Sequence, residues 1–344
     1  MKIKSNHKFF ALASGAIFLL VFTYVFLGGS VIYAADKPIK LKVLSSWGPE
    51  HVHVRAFVVP YVERLNKKSG GRLDVSWVGP EAVPPFEQLK PLSAGLFDMV
   101  FTHPAYHMGE VAIGVAMDLF SASPQERWEA GFYNIIDEGY EKVNAQVLAN
   151  VMGKGVGYHL MLKKKCIDKA DFTGLKLRTT PSYDPLAKGL GAATVKVSGG
   201  EIYSALEKGV VDGAFWVVMG ALDYKWYEVA SYQLRPQFGE VAEILLVNKK
   251  KWDSLPKDVQ KMIHEITMEV AEETYQDLAK TWKEEEAKLE SLGMKLCVLP
   301  PAEGEKLQKT YYERSWEEIV LKHSQDLGPK LKKSVDQFMK GRQK

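Results

Sequence analysis

Residues 256–292 open with Pro256 and then run to Leu292 without a glycine or a second proline, rich in Glu, Lys, Ala, Leu and Met, before Gly293 stops them. That composition predicts a single helix. At about 1.5 Å per residue it would extend on the order of 55 Å, longer than a small domain is wide. Such a helix crosses between two bodies or projects from one. The 344 residues, at roughly 150 per domain, are enough for two.

Strand and helix signals alternate upstream of it. Residues 39–44 alternate as a strand, and Val54, Phe57, Val58, Tyr61, Val62 and Leu65 then recur at helical spacing. Lys67, Lys68, Gly70 and Gly71 close that helix. Residues 73–78 read as a strand, 86–94 as a short helix stopped by Gly95, and 97–101 as a buried strand. These predict an α/β unit with a mainly parallel sheet. Ser123 and Pro124 open what reads as a long helix to about Leu148. A second α/β unit follows: strands at 155–162, 175–179, 193–197 and 210–216, with helices at 183–190 and 201–206. Residues 294–299 read as a late strand, and 302–344 as helical, amphipathic and charged.

Hydrophobic residues make up 46% and charged residues 25%, the balance of a globular chain with a core, and two cysteines are too few for a disulfide scaffold. The net charge of +3 comes from Lys2, Lys4 and Lys8, because the first 35 residues hold no acid and the remainder is neutral. A neutral body without a basic block argues against a nucleic-acid partner. The three lysines precede an uncharged run, 9–35, that ends in Ala34 and Ala35. This reads as a secretory signal; its length also allows an uncleaved anchor. Either way the body is expected outside the cytoplasm. No cysteine near this segment offers a lipid attachment, and Cys166 and Cys297 either pair or stay as buried thiols.

Tests for chemistry exclude more than they find. Gly153, Gly155 and Gly157 precede a strand, the reverse of a dinucleotide-binding turn. There is no nucleophile elbow, phosphate-binding loop or H-E-x-x-H zinc motif. His51 and His53 follow the first strand, and His103 and His107 follow the third. Four histidines at the carboxyl ends of strands suit a transition metal, and equally suit separate hydrogen-bonding roles. Arg178, near a strand end, reads either as a solvated charge or as a guanidinium that grips a carboxylate. Trp47, Phe101, Tyr106, Phe215 and Trp216 lie at strand ends, where they wall a pocket or simply fill core.

Several segments together resemble one family. They are Trp47 with 63–72, Gly95-Leu96-Phe97-Asp98-Met99, 171–178, and 205–213 with Trp216. Val247-Asn248-Lys249 and 252–256 add to the match. The chain resembles the DctP-type solute-binding proteins of tripartite ATP-independent periplasmic (TRAP) transporters, over about residues 39–300. The resemblance implies an α/β, two-lobed periplasmic-binding-protein-like fold with a long helix spanning both lobes. Lobe I would hold 36–155 with about 243–285; lobe II would hold 156–242 with about 286–344 and the C-terminal helices. It implies capture of a small organic acid in the interlobe cleft and delivery to membrane permease subunits, without catalysis or cofactor.

Residue by residue, the family's carboxylate-gripping arginine falls on Arg178. A second arginine falls near His159, where this chain has none, and a smaller ligand-contacting residue falls on Trp216. The Trp resembles a branch that binds 2-oxo acids, in which a Glu-Trp pair and a later Glu contribute to ligand and metal binding. Here Phe215 replaces the first Glu and Glu240 matches the later one, which weakens the expectation of a bound Na⁺ or Ca²⁺ and suggests a bulkier or more apolar acid. The expected ligand-binding set is therefore Arg178, Trp216, Phe215, Trp47, Phe101, His103, His159 and Glu240. Competing readings are a ligand-presenting partner of a membrane sensor, an extracytoplasmic enzyme, and a metal-binding protein using His51, His53, His103 and His107. The C-terminal helix either packs on its own body or pairs with a second copy to form a homodimer.

Overall fold

Residues 37–342 are described by the computed structural model, so the expected export segment lies outside the described residues. Among the described residues eleven strands form: β1 (Ile39–Ser45), β2 (Leu73–Val78), β3 (Met99–Thr102), β4 (Ala145–Val151), β5 (Tyr158–Leu162), β6 (Lys176–Thr179), β7 (Ala193–Lys196), β8 (Gly213–Val217), β9 (Tyr232–Arg235), β10 (Glu243–Asn248) and β11 (Lys295–Val298). They make two sheets, ordered β2-β1-β3-β10-β4 and β11-β9-β5-β8-β6-β7. In the first, β1 pairs parallel with β2 and β3, and β10 enters antiparallel between β3 and β4. In the second, β6 pairs parallel with β7 and β8, while β5 runs antiparallel to β8 and β9. The central strands β3, β5, β8 and β10 are buried along their whole length, as covered sheets require.

One expected helix is not there. Residues 123–148 break at Gly131, whose φ of +71° is left-handed, and again at Asn144, with φ +53°. Helices Pro124–Glu129 and Phe132–Tyr140 result, and 145–151 becomes β4. The apolar residues of 145–151 satisfy a helix face or a strand equally well; burial beside β10 decides for the strand. The first of these helices starts where Ser123 and Pro124 predict, on a reciprocal Ser123–Glu126 capping box.

The two sheets are joined by paired crossings. Segments 152–157 and 236–242 run side by side, with Tyr158 and Phe238 exchanging both backbone bonds (2.8 and 2.9 Å) and Val241 N–H donating to Val156 O at 2.9 Å. The helix Lys257–Ser291, 35 residues long, makes a third link. Its first half packs on the first sheet's helices, with Thr267 Oγ1 3.1 Å from the Tyr61 hydroxyl and Thr274 Oγ1 donating to Ala56 O at 3.0 Å. Near its far end the buried Glu285 carboxylate accepts Gly220 N–H (3.0 Å) and Leu222 N–H (2.9 Å), from the loop after β8 in the second sheet. The helix thus spans both sheets, as its length predicts.

Cys166 and Cys297 form a disulfide tying the loop after β5 to β11. The last helix, Gly328–Arg342, buries Leu331 and Val335, and its Phe338 packs on Phe120 and Phe132 of its own chain. No helix among the described residues is long and apolar enough to cross a membrane.

Glu285→Ala would leave one buried and one partly buried N–H donor without a partner where the long helix meets the second sheet. Each costs about 1–3 kcal/mol. Urea unfolding should show a loss of about 2–4 kcal/mol; a loss within error of zero would show that the contact does not hold the helix.

Candidate functional site

Between the sheets lies a cavity walled from both sides. Trp47, His51, His103, Tyr106 and Glu243 come from the first sheet and its loops. Tyr158, Thr180, Tyr183, Trp216 and Val217 come from the second, and Val241 from a crossing. The centre of a water-sized sphere has about 20 Å³ in it, room for about one water molecule. The walls are therefore closed on each other. At the rim, Arg55 Nη2 beside β1's loop meets both carboxylate oxygens of Asp223, after β8, at 3.0 Å. Below it the ring of His51 stacks on Trp47 (4.9 Å) and meets Trp216 edge-on (6.2 Å).

Arg178 on β6 has no exposed surface. Its Nε donates to Val197 O at 3.0 Å and its Nη1 to Phe215 O at 2.8 Å. Its third nitrogen, Nη2, is buried with no acceptor in good hydrogen-bonding geometry, although the Tyr106 hydroxyl stands close enough to interact with the guanidinium. The parallel β6–β8 pairing sets Arg178 opposite Ala214, which brings the Phe215 carbonyl within reach. The guanidinium carbon lies 5.0 Å from the centre of the Trp216 ring. Burial lowers the arginine's pKa, yet a guanidinium keeps its charge in any protein environment. Its field is felt by the two cavity phenols, Tyr106 and Tyr183. Burial pushes Tyr106 up to about 12 and Tyr183 well above its ordinary value, and Arg178 pulls both back.

Trp216 is held from both sides by absent side chains. A Cβ on Gly199 would stand 2.6 Å from the ring's Cη2, and one on Gly220 would stand 3.2 Å from Nε1. Trp226 meets the ring at right angles, 5.2 Å away. Beneath the cavity floor, Asp118 is fully buried and ties four segments together. Its carboxylate accepts Ala242 N–H (3.1 Å), lies 3.3 Å from His103 Nε2 and 3.4 Å from Ser182 Oγ, and its carbonyl accepts Glu240 N–H at 2.8 Å. His103 Nε2 also meets the Tyr158 hydroxyl at 2.8 Å.

The expected residues divide. Trp216, Trp47 and His103 line the cavity, and Arg178 stands behind its wall against the Trp216 ring. Phe215 is turned to the other face of β8, against Phe172, Tyr183 and Phe238, and offers the site only its carbonyl. Phe101 is core behind Trp47 and Phe57. His159 is buried away from the cavity, its Nδ1 2.9 Å from Arg235 Nη1. A guanidinium thus does stand beside position 159, carried by β9, but Glu286 pairs with it at 2.9 Å from Nε. Glu240 is buried 3.9 Å from Arg127, off the cavity. Arg127 is held by the carbonyls of Ala122, Met117 and Phe120, at 2.8–2.9 Å.

Nor do the four histidines converge. His103 is engaged by Tyr158 and Asp118, and His107 Nε2 by the Tyr140 hydroxyl at 2.7 Å, with burial pushing its pKa down to about 3. Only His51 and His53 meet, and they meet Glu243. Asp118, Tyr158, Thr180, Tyr183 and Glu243 were not foreseen. A trace existed for two of them: Asp118 and Glu243 are single acids inside otherwise apolar runs, 113–119 and 241–247.

The model of one family, bacterial extracellular solute-binding protein family 7 (DctP), matches residues 44–322. The monocarboxylate 2-oxoacid-binding periplasmic protein of Nostoc sp. is 26% identical over 254 residues, covering 70% of this chain and 68% of that protein. Two crystal structures share the fold at 18% identity. A TRAP periplasmic solute-binding protein from Desulfovibrio salexigens with bound orotic acid superposes with TM-score 0.77, covering 87% of this chain and 97% of that one. One from Rhodoferax ferrireducens with bound malonate superposes with TM-score 0.76, covering 87% and 99%.

Burial raises the Glu240 pKa to about 7, against a partial pull from Arg127. The folded chain therefore holds a proton that the unfolded chain gives up near its ordinary value. Stability from this group is full at low pH and declines as pH rises to about 7, by about 2–3 kcal/mol at most. Glu240→Gln removes this dependence. The variant's stability relative to the parent should climb between pH 5 and 7.5 and level off above; parallel curves would contradict it.

Proposed function

Because the chain belongs to the DctP family of bacterial extracellular solute-binding proteins, we propose that it captures a small organic acid between its two sheets. It would deliver that acid, chemically unchanged, to the membrane permease subunits of a TRAP-type transporter. The observation that carries the ligand class is the buried Arg178 with one nitrogen unpartnered. A buried charge left partly unsatisfied is costly, and a carboxylate is the acceptor whose charge and geometry suit it. The relatives' ligands point the same way: a monocarboxylate 2-oxoacid, orotic acid and malonate are all acids. The walls of Trp47, Tyr106, Tyr183 and Trp216 suit an apolar or planar remainder.

In this reading lobe I is 36–155 with about 243–285, and lobe II is 156–242 with about 286–344, although the last helix reaches back onto Phe120 and Phe132 of lobe I. Ligand shifts the population toward the closed form because only there does it touch both walls. The crossings at 152–157 and 236–242 are the natural hinge. The apolar side of the last helix is already covered by its own body, which favours a single chain as the working unit. An export signal at the N-terminus would carry the body outside the cytoplasm, in line with relatives that are named periplasmic.

Arg178→Met should lower affinity for the acid recovered from the parent protein by about 10- to 100-fold, as loss of a charge-assisted bond does. Titration calorimetry reads this, with a melting curve to show that the chain still folds; unchanged affinity would remove Arg178 as the anchor. Arg55→Ala should act on closure alone. An exposed ion pair contributes about 0–1 kcal/mol, so affinity should fall by about fivefold at most, with the difference vanishing in high salt.

A further inference from the structure

Opposite Arg178, on the first sheet's side of the cavity, stand His51, His53 and Glu243. All three are buried, and one donor atom from each lies within 4.8 Å of the others. His53 Nδ1 and Glu243 Oε1 touch at 2.7 Å but not in hydrogen-bonding geometry. His51 Nε2, His53 Nε2 and Glu243 Oε2 have no partner, while His51 Nδ1 is committed to the His53 N–H at 3.3 Å. Buried polar atoms are almost always satisfied, so several orphans in one small cluster require an account.

We propose that His51, His53 and Glu243 form a divalent transition-metal site, of the kind that takes Zn²⁺ or Co²⁺, with an open position toward the cavity. Two imidazoles and one carboxylate are a borderline donor set that selects such ions over Na⁺, Mg²⁺ or Ca²⁺, which prefer oxygen. Donors around one such ion stand roughly 3–3.5 Å apart. The observed spacings, from the 2.7 Å contact to the 4.8 Å limit, bracket that value. His51 and Glu243 line the cavity, so the ion's free position faces the place where an acid would sit. The site differs from the set that the family resemblance implies, because Phe215 and Glu240 take no part. It also answers a charge problem. An anionic ligand held by Arg178 would approach the buried carboxylate of Glu243, and a cation between them turns repulsion into attraction. Only the nature of the final ligand rests on the organic-acid reading; the metal site stands apart from it.

The test is metal uptake by the whole exported protein after chelator treatment and without added acid. Titration with Co²⁺ should develop ligand-field absorption that saturates at one ion per chain, and Zn²⁺ should displace it. Glu243→Gln and His51→Gln should each weaken Zn²⁺ binding at least tenfold in competition with a chromophoric chelator. Two variants guard against one that fails to fold, checked by melting curves. Arg178→Met should bind Zn²⁺ like the parent, which separates failure of the metal site from failure of the acid-binding reading. No stoichiometric uptake, or Zn²⁺ affinity untouched by both substitutions, overturns the proposal.

Discussion

The rest of the structure depends on a buried guanidinium. Taking a charge out of water costs several kcal/mol unless its hydrogen bonds are replaced. Arg178 has two replaced, by the carbonyls of Val197 and Phe215, and a tryptophan ring against its face. The parallel pairing of β6 with β7 and β8 exists at the right register to bring those carbonyls in. Gly199 and Gly220 leave space for the ring. In the proposed function the nitrogen that remains is where a carboxylate would be held, and a group fixed in advance in this way lowers the cost of binding.

A second buried group ties the two walls to the crossings. Asp118 lies where the two walls and the crossings meet, and touches His103 on one side, Ser182 on the other and the backbone at 240 and 242. Through it the state of the cavity floor is linked to the segment on which the sheets would turn. Arg127 and Glu240 extend the same polar layer inward, with the arginine satisfied mostly by carbonyls and the acid poorly satisfied. The interior between the sheets is thus a run of buried or half-buried charged and phenolic groups, of which Arg178, Glu240, His103 and Tyr106 are nameable from the sequence and Asp118, Arg127, Tyr158 and Tyr183 are not.

What the sequence made legible follows periodicity and length. The long helix was readable because nothing in 257–292 interrupts it, and most strands because their alternation is clean. β4 was not: residues 145–151 are apolar enough for either element, and the antiparallel insertion of β10 beside them is a long-range event that no local pattern records. The same limit governs the site. Motif position found Arg178 and Trp216, but strand parity turned Phe215 away. A charged pair claimed His159, and hydrogen bonds to Tyr158 and Tyr140 separated His103 and His107 from the other two histidines. Glu243 and Asp118 are lone acids within apolar runs, and both are buried at or beneath the cavity.

The most direct test of the account is native mass spectrometry of the protein taken from its own host compartment, followed by denaturing release of whatever it carries. One small carboxylic acid per chain, lost from the Arg178→Met variant, is the predicted result. A bound molecule without a carboxylate, or a chain that remains bare even after incubation with a broad panel of organic acids, would contradict it.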